Sequence, residues 1–65
     1  MLTYKEAREK AGMTAIEVAK KLGLSKTNYS LKENYERHFK DIELVRFCQI
    51  VGCSINKLKI RGLNY

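Results

Sequence analysis

The sequence predicts an all-α fold, a compact domain of five short helices. Three observations predict it. Two Thr-x-x-Glu capping boxes, Thr3–Glu6 and Thr14–Glu17, each open a segment whose small and apolar residues recur at helical spacing. The chain has no proline, and its glycines, Gly12, Gly23, Gly52 and Gly62, cut it into helix-sized lengths. Only "GLS" separates the second segment from the third, a turn so short that two helices must cross steeply in a helix-turn-helix.

The first segment, "TYKEAREKAG", carries Tyr4, Ala7, Arg8 and Ala11 on one face and stops at Gly12. In the second, "TAIEVAKKLG", Ala15, Val18, Ala19 and Leu22 form the inward stripe, and Lys20 and Lys21 suit the negative end of the helix dipole. Ser25 is placed to cap the third helix, expected from about 25 to 34, while Leu24 packs into the corner. That third helix is poorly apolar. Its inward face rests on Tyr29, with Asn28, the Lys32 carbons and Glu33 beside it, so its neighbours must hold it. In the connection "YERHFKD", Phe39 is the expected core plug, and Asp41 is the expected cap of "IELVRFCQIVG". Leu44, Phe47, Cys48 and Val51 form the central stripe of that helix. Ile42, Val45 and Ile50 broaden the stripe, either to finish the core or to meet a partner. After Gly52, Ser54 caps a short fifth helix with Ile55 and Leu58 at i, i+3.

A chain of 65 residues forms one domain, with a core over residues 2–60 and a tail over 61–65, and buries only about 60% of its unfolded surface. Thirteen Lys plus Arg against seven Asp plus Glu give a net charge of +6, which favours an acidic partner such as nucleic acid. Charge alone decides little, because Lys5, Lys10, Lys57, Lys59 and Arg61 are spread along the chain. Cys48 and Cys53 lack the spacing of a zinc site and are read as reduced, small core residues. No apolar run approaches the ~20 residues that span a bilayer, so an intracellular, cytoplasmic protein is expected. No metal or cofactor is expected. His38 has no nucleophile or carboxylate pair arranged around it, and an enzyme is not expected.

With five short helices and this turn, the chain resembles the Cro and phage-repressor type of helix-turn-helix domain, the XRE family, and so a lambda-repressor-like fold. The resemblance is carried by "AREKAGMT" leading into "EVAKKLGLS", by Glu33–Asn34, and by "IELVRFCQIVGCSINKL" with its Gly52 and Ser54. It runs from residue 2 to about residue 58, roughly nine tenths of the chain. What it implies is a DNA-binding regulator, a third helix lying in the major groove, and a two-fold dimer. It also implies an ion pair between Arg8 and Glu33, which a bidentate Arg–carboxylate bond would make rigid. The sequence departs from the family pattern at four places. Ala15 replaces a common glutamine, Tyr35 replaces a glycine, Leu31 occupies a site usually polar, and Phe39 stands where proline is frequent.

The outward residues of the third helix suit base recognition. Ser25, Lys26, Thr27, Ser30 and Leu31 face out, with Asn28 at the edge. Lys26 can bond guanine O6 and N7, Thr27 offers a hydroxyl and a methyl, Asn28 can pair with adenine, and Leu31 makes an apolar contact. Phosphates are assigned to the helix start at Thr14 and Ala15, where free N–H groups attract anions. A second clamp is assigned to Asn34, Tyr35, Arg37, His38 and Lys40. The family resemblance implies half-sites about 34 Å apart, with Ile50, Ile55, Ile60, Leu63 and Tyr65 as dimer candidates.

Two functions of different class follow. The first is sequence-specific binding of double-stranded DNA by a transcriptional regulator, a repressor of phage or mobile-element type. The second is a protein-interaction module that keeps the fold without the DNA face, which Ala15, Leu31 and Tyr35 suggest. Single-stranded binding by stacking on Tyr29 and Tyr35 is weaker, because Tyr29 is expected inside.

Overall fold

Both capping boxes form, and each starts a helix. The computed structural model of the protein describes residues 1–60. Thr3 opens α1 (Tyr4–Lys10) by accepting from the Glu6 N–H at 3.1 Å, while Glu6 accepts from the Thr3 N–H at 2.9 Å. Thr14 and Glu17 repeat the arrangement at α2 (Ala15–Leu22). Two orphan N–H groups are thereby satisfied at each start. Gly23 ends α2 in the left-handed region, φ 74, and the Leu24 N–H turns back to the Ala19 carbonyl at 2.9 Å. An L side chain is strained in that region, so glycine makes the abrupt exit cheap.

The third helix, α3, spans Lys26–Glu33, with Ser25 as its N-cap and Asn34 as its C-cap. The expected range of 25 to 34 thus counted both caps as helix. The next helix, α4 (Asp41–Val51), corrects a second expectation: Lys40 is its N-cap and Asp41 its first helical residue. The carboxylate that caps it belongs to Glu43, which accepts from the Lys40 N–H at 2.8 Å. The expected fifth helix is a single 3-10 turn, Ile55–Lys57, so the fold has four α-helices and that turn. The turn ends because Leu58 takes an extended conformation, φ −93 and ψ 139, and pairs with Leu2.

The core lies between α1, α2, α3 and α4, with Val18, Tyr29 and Phe47 fully buried. Leu58 follows the 3-10 turn and is also buried. It is held by a parallel bridge to Leu2, in which the Leu2 N–H donates to the Lys57 carbonyl and the Lys59 N–H to the Leu2 carbonyl, each at 2.8 Å. Tyr4 sits among three rings. It stacks on Tyr35 at 4.8 Å and meets Phe39 and Phe47 edge-on at 4.8 and 5.4 Å, offset and T-shaped geometries that favour aromatic pairs. Phe39 therefore does plug the core from the connection.

The broad stripe of α4 divides. Ile50 packs against the core, whereas Ile42 and Val45 are 59% and 48% exposed. Cys48 and Cys53 are free and half-buried. Among the described residues no helix is long and apolar enough to cross a membrane. The expectations for Leu63 and Tyr65 lie outside the described residues.

Candidate nucleic-acid interface

The way α3 is held determines which face it offers. Tyr29 is its only fully buried apolar anchor, too little to hold eight residues as a helix. Polar bonds do the rest. The Tyr29 hydroxyl donates to Glu33 Oε1 at 2.7 Å, one helical turn away. Arg8 of α1 donates Nε to the same oxygen at 2.7 Å and Nη2 to Oε2 at 3.4 Å. Its Nη1 donates to the Met13 carbonyl at 2.9 Å. One guanidinium thus joins α1, the turn before α2, and the end of α3, a span that its planar fork suits. The bond to Glu33 holds the Arg8 proton more tightly than usual. Burial, reinforced by Glu33, drives the Tyr29 hydroxyl far above its ordinary range, so it stays a donor.

A second bond ties α3 to α4. Lys32 Nζ donates to Glu43 Oε1 at 2.5 Å, with both side chains nearly buried. Burial pushes the Glu43 carboxyl up, but the bonds from Lys32 and from the Lys40 N–H more than offset it, and the net shift is down. The sequence points the Lys32 stem inward beside Tyr29 but carries no sign of its partner, because Lys32 and Glu43 are eleven residues apart on different helices.

With Tyr29, Lys32 and Glu33 turned in, the opposite face of α3 is open. Ser25, Lys26 and Thr27 are exposed, and Ser30 and Leu31 are half-exposed. The Ser25 hydroxyl is committed to the Asn28 N–H at 3.1 Å. Asn28 is half-buried, and its Oδ1 accepts from Arg37 Nη1 at 3.4 Å. A residue assigned to bases and one assigned to phosphates therefore touch each other.

The expected phosphate positions separate into three kinds. At the α2 start the capping box engages the N–H groups of Thr14 and Glu17, leaving those of Ala15 and Ile16 as first-turn donors. The Glu17 carboxyl, held below its usual range by its bonds to Thr14, places a negative charge beside them. Asn34, Arg37, His38 and Lys40 are exposed along the segment after α3. Tyr35 differs from the rest. It has φ 65, the left-handed conformation that suits the glycine it replaces. Its ring stacks on Tyr4, and its hydroxyl donates to the Lys59 carbonyl. Tyr35 thus fastens the loop to the domain, a role that its aromatic character alone could have signalled.

Of the dimer candidates, Ile50 and Ile60 are half-buried against the core, and Ile55 is 43% exposed. The large exposed apolar residues of α4 are instead Ile42 and Val45.

A short turn between two helices, the second held by polar ties with one face exposed, defines a helix-turn-helix protein. The family model described as Helix-turn-helix matches residues 5–58, and the chain belongs to that family, the XRE type of DNA-binding transcription regulators. No curated protein and no solved structure gives a significant match to the chain.

Proposed function

We propose that this domain binds double-stranded DNA in a sequence-dependent manner and represses transcription by occupying promoter DNA. The observation that supports this reading is the two-sidedness of α3. One face is held by Tyr29, Lys32 and Glu33, and the other offers Lys26 and Thr27 to solvent with Ser30 and Leu31 beside them. A helix held so heavily on one side has the rigidity that base readout requires. In this reading Lys26 bonds guanine, Thr27 and Leu31 contact bases through hydroxyl and apolar groups, and Ser25 and Ser30 bond at the groove edge. The N–H groups of Ala15 and Ile16 receive one phosphate, and Asn34, Arg37, His38 and Lys40 receive others on the far side. The net charge of +6 supplies the long-range attraction. Two copies bind half-sites one helical turn apart, and the protein acts in the cytoplasm.

A titration of mixed-sequence duplex DNA over a range of salt tests this reading. The apparent affinity is expected to fall steeply as salt rises, with a log–log slope of about −3.5 to −5.5 for roughly four to six neutralised phosphates. A slope near zero, or no binding at low salt, would overturn it.

The protein-interaction reading draws on one observation, the exposure of Ile42 and Val45 one turn apart on α4. It requires a stoichiometric protein complex that survives high salt in the absence of DNA binding.

A further inference from the structure

The end of α4 brings both cysteines of the chain to one place. Gly52 takes φ 66 and its N–H turns back to the Cys48 carbonyl, as does the Cys53 N–H at 3.0 Å. A six-to-one bond of this kind around a left-handed glycine brings the backbone of the two flanking residues, here Cys48 and Cys53, close together, and a contact between their side chains commonly accompanies it. Both thiols are free and half-buried. Burial, with a further contribution from the neighbouring Cys53, pushes the Cys48 thiol up. Cys53 lines a cleft of about 260 Å³, together with Leu2, Lys10, Ser54 and Lys57. None of the residues lining that cleft belongs to α2 or α3.

We infer that Cys48 and Cys53 form a two-electron redox pair, a modification site at which a peroxide converts the two thiols into an intramolecular disulfide. Cys53, on the cleft wall, reacts first. Its sulfur, having released its proton, attacks one peroxide oxygen, the O–O bond breaks, and the departing hydroxide takes up that proton as water. The product is a sulfenic acid on Cys53. The Cys48 sulfur then attacks the Cys53 sulfur, the S–O bond breaks, and hydroxide leaves with the Cys48 proton as a second water. Two thiols thereby lose two electrons and two protons, and one hydrogen peroxide becomes two waters. Cys48, which does not line the cleft, is the resolving partner. In a reducing compartment such a bond is transient, which suits a sensor more than a structural staple.

Intact-mass measurement on the whole, reduced protein treated with hydrogen peroxide, followed by maleimide labelling, tests the pair. The expected result is a monomer lighter by about two daltons, the mass of the two hydrogens lost on disulfide formation. Both thiols become unreactive together, and dithiothreitol restores them. The Cys48→Ser variant should instead accumulate oxygen adducts on Cys53 and never show the lighter monomer. Independent oxygen adducts on both cysteines of the unaltered protein, persistent maleimide reactivity, or a disulfide found only between two chains would each overturn the inference.

Discussion

Lys32 and Glu43 meet end to end beneath the surface, Nζ to Oε1 at 2.5 Å, with 5% and 11% of their side chains exposed. Neither could be buried alone, because an uncompensated charge inside a protein is costly. Lys32→Met is therefore expected to destabilise the domain by about 3 kcal/mol, since Glu43 keeps only its bond to the Lys40 N–H. Adding Glu43→Leu should recover most of that loss, because an apolar pair of similar size removes the stranded carboxylate. Urea unfolding of the single and double variants checks both.

The same carboxylate makes stability depend on pH. Glu43, Glu6 and Glu17 all have folded values below the ordinary carboxyl value of 4.5. Below 4.5 the unfolded chain takes up protons before the folded chain does, so acid favours unfolding. Stability from these groups is complete above that value and is lost as pH falls through their lower folded values. Thermal midpoints measured from pH 7 down to about pH 3 should fall most steeply below the ordinary carboxyl range. Glu43→Gln should start less stable and show a shallower fall.

Arg8 makes its contacts in three directions, to both oxygens of Glu33 and to the Met13 carbonyl. A lysine cannot cover them with one ammonium. Arg8→Lys is expected to cost about 1–3 kcal/mol in urea unfolding, with the bonds lost being charge-assisted. If α3 depends on this tie, hydrogen exchange at its amides should rise more than at those of α4.

Tyr35 sets two effects against each other. Its left-handed backbone, φ 65, costs about 1–2 kcal/mol in a residue other than glycine. Its stacking on Tyr4 and its bond to the Lys59 carbonyl contribute about 0.5–1.5 kcal/mol each, besides the area the ring buries. The ring wins by this comparison. Tyr35→Gly, although it relieves the backbone, should lower stability by about 1 kcal/mol, and Tyr35→Phe by a similar or smaller amount through loss of the hydroxyl bond alone.

Much of the architecture is local and was legible in the residues. Thr3–Glu6 and Thr14–Glu17 announce their helices by spacing, Gly23 and Gly52 sit where only a left-handed exit fits, and Tyr29 was the one candidate anchor of α3. What escaped is tertiary. Periodicity turns the Lys32 stem inward but gives neither Lys32 nor Glu43 a partner, because only the approach of α3 to α4 brings the two charges together. It cannot tell that Ile50 turns in while Ile42 and Val45 stay out, since all three suit a broad stripe. The stretch after Gly52 reads as helix from Ser54, Ile55 and Leu58, yet Leu58 is drawn off to pair with Leu2. The candidate site was legible as a set of exposed residues on α3. That Asn28 touches Arg37, and that Tyr35 is fastened inward, depended on the fold of the loop.

The proposed function rests on the open face of α3 reading base sequence. Selection of bound duplexes from a random library, run in parallel for the unaltered protein and for Lys26→Ala with Thr27→Ala, tests it most directly. A two-fold symmetric consensus is expected for the unaltered protein. Preference in the variant is expected to relax by roughly 5- to 150-fold at the affected positions, corresponding to about 1–3 kcal/mol of lost discrimination. Absence of any enriched sequence, or an identical consensus from both proteins, would contradict it.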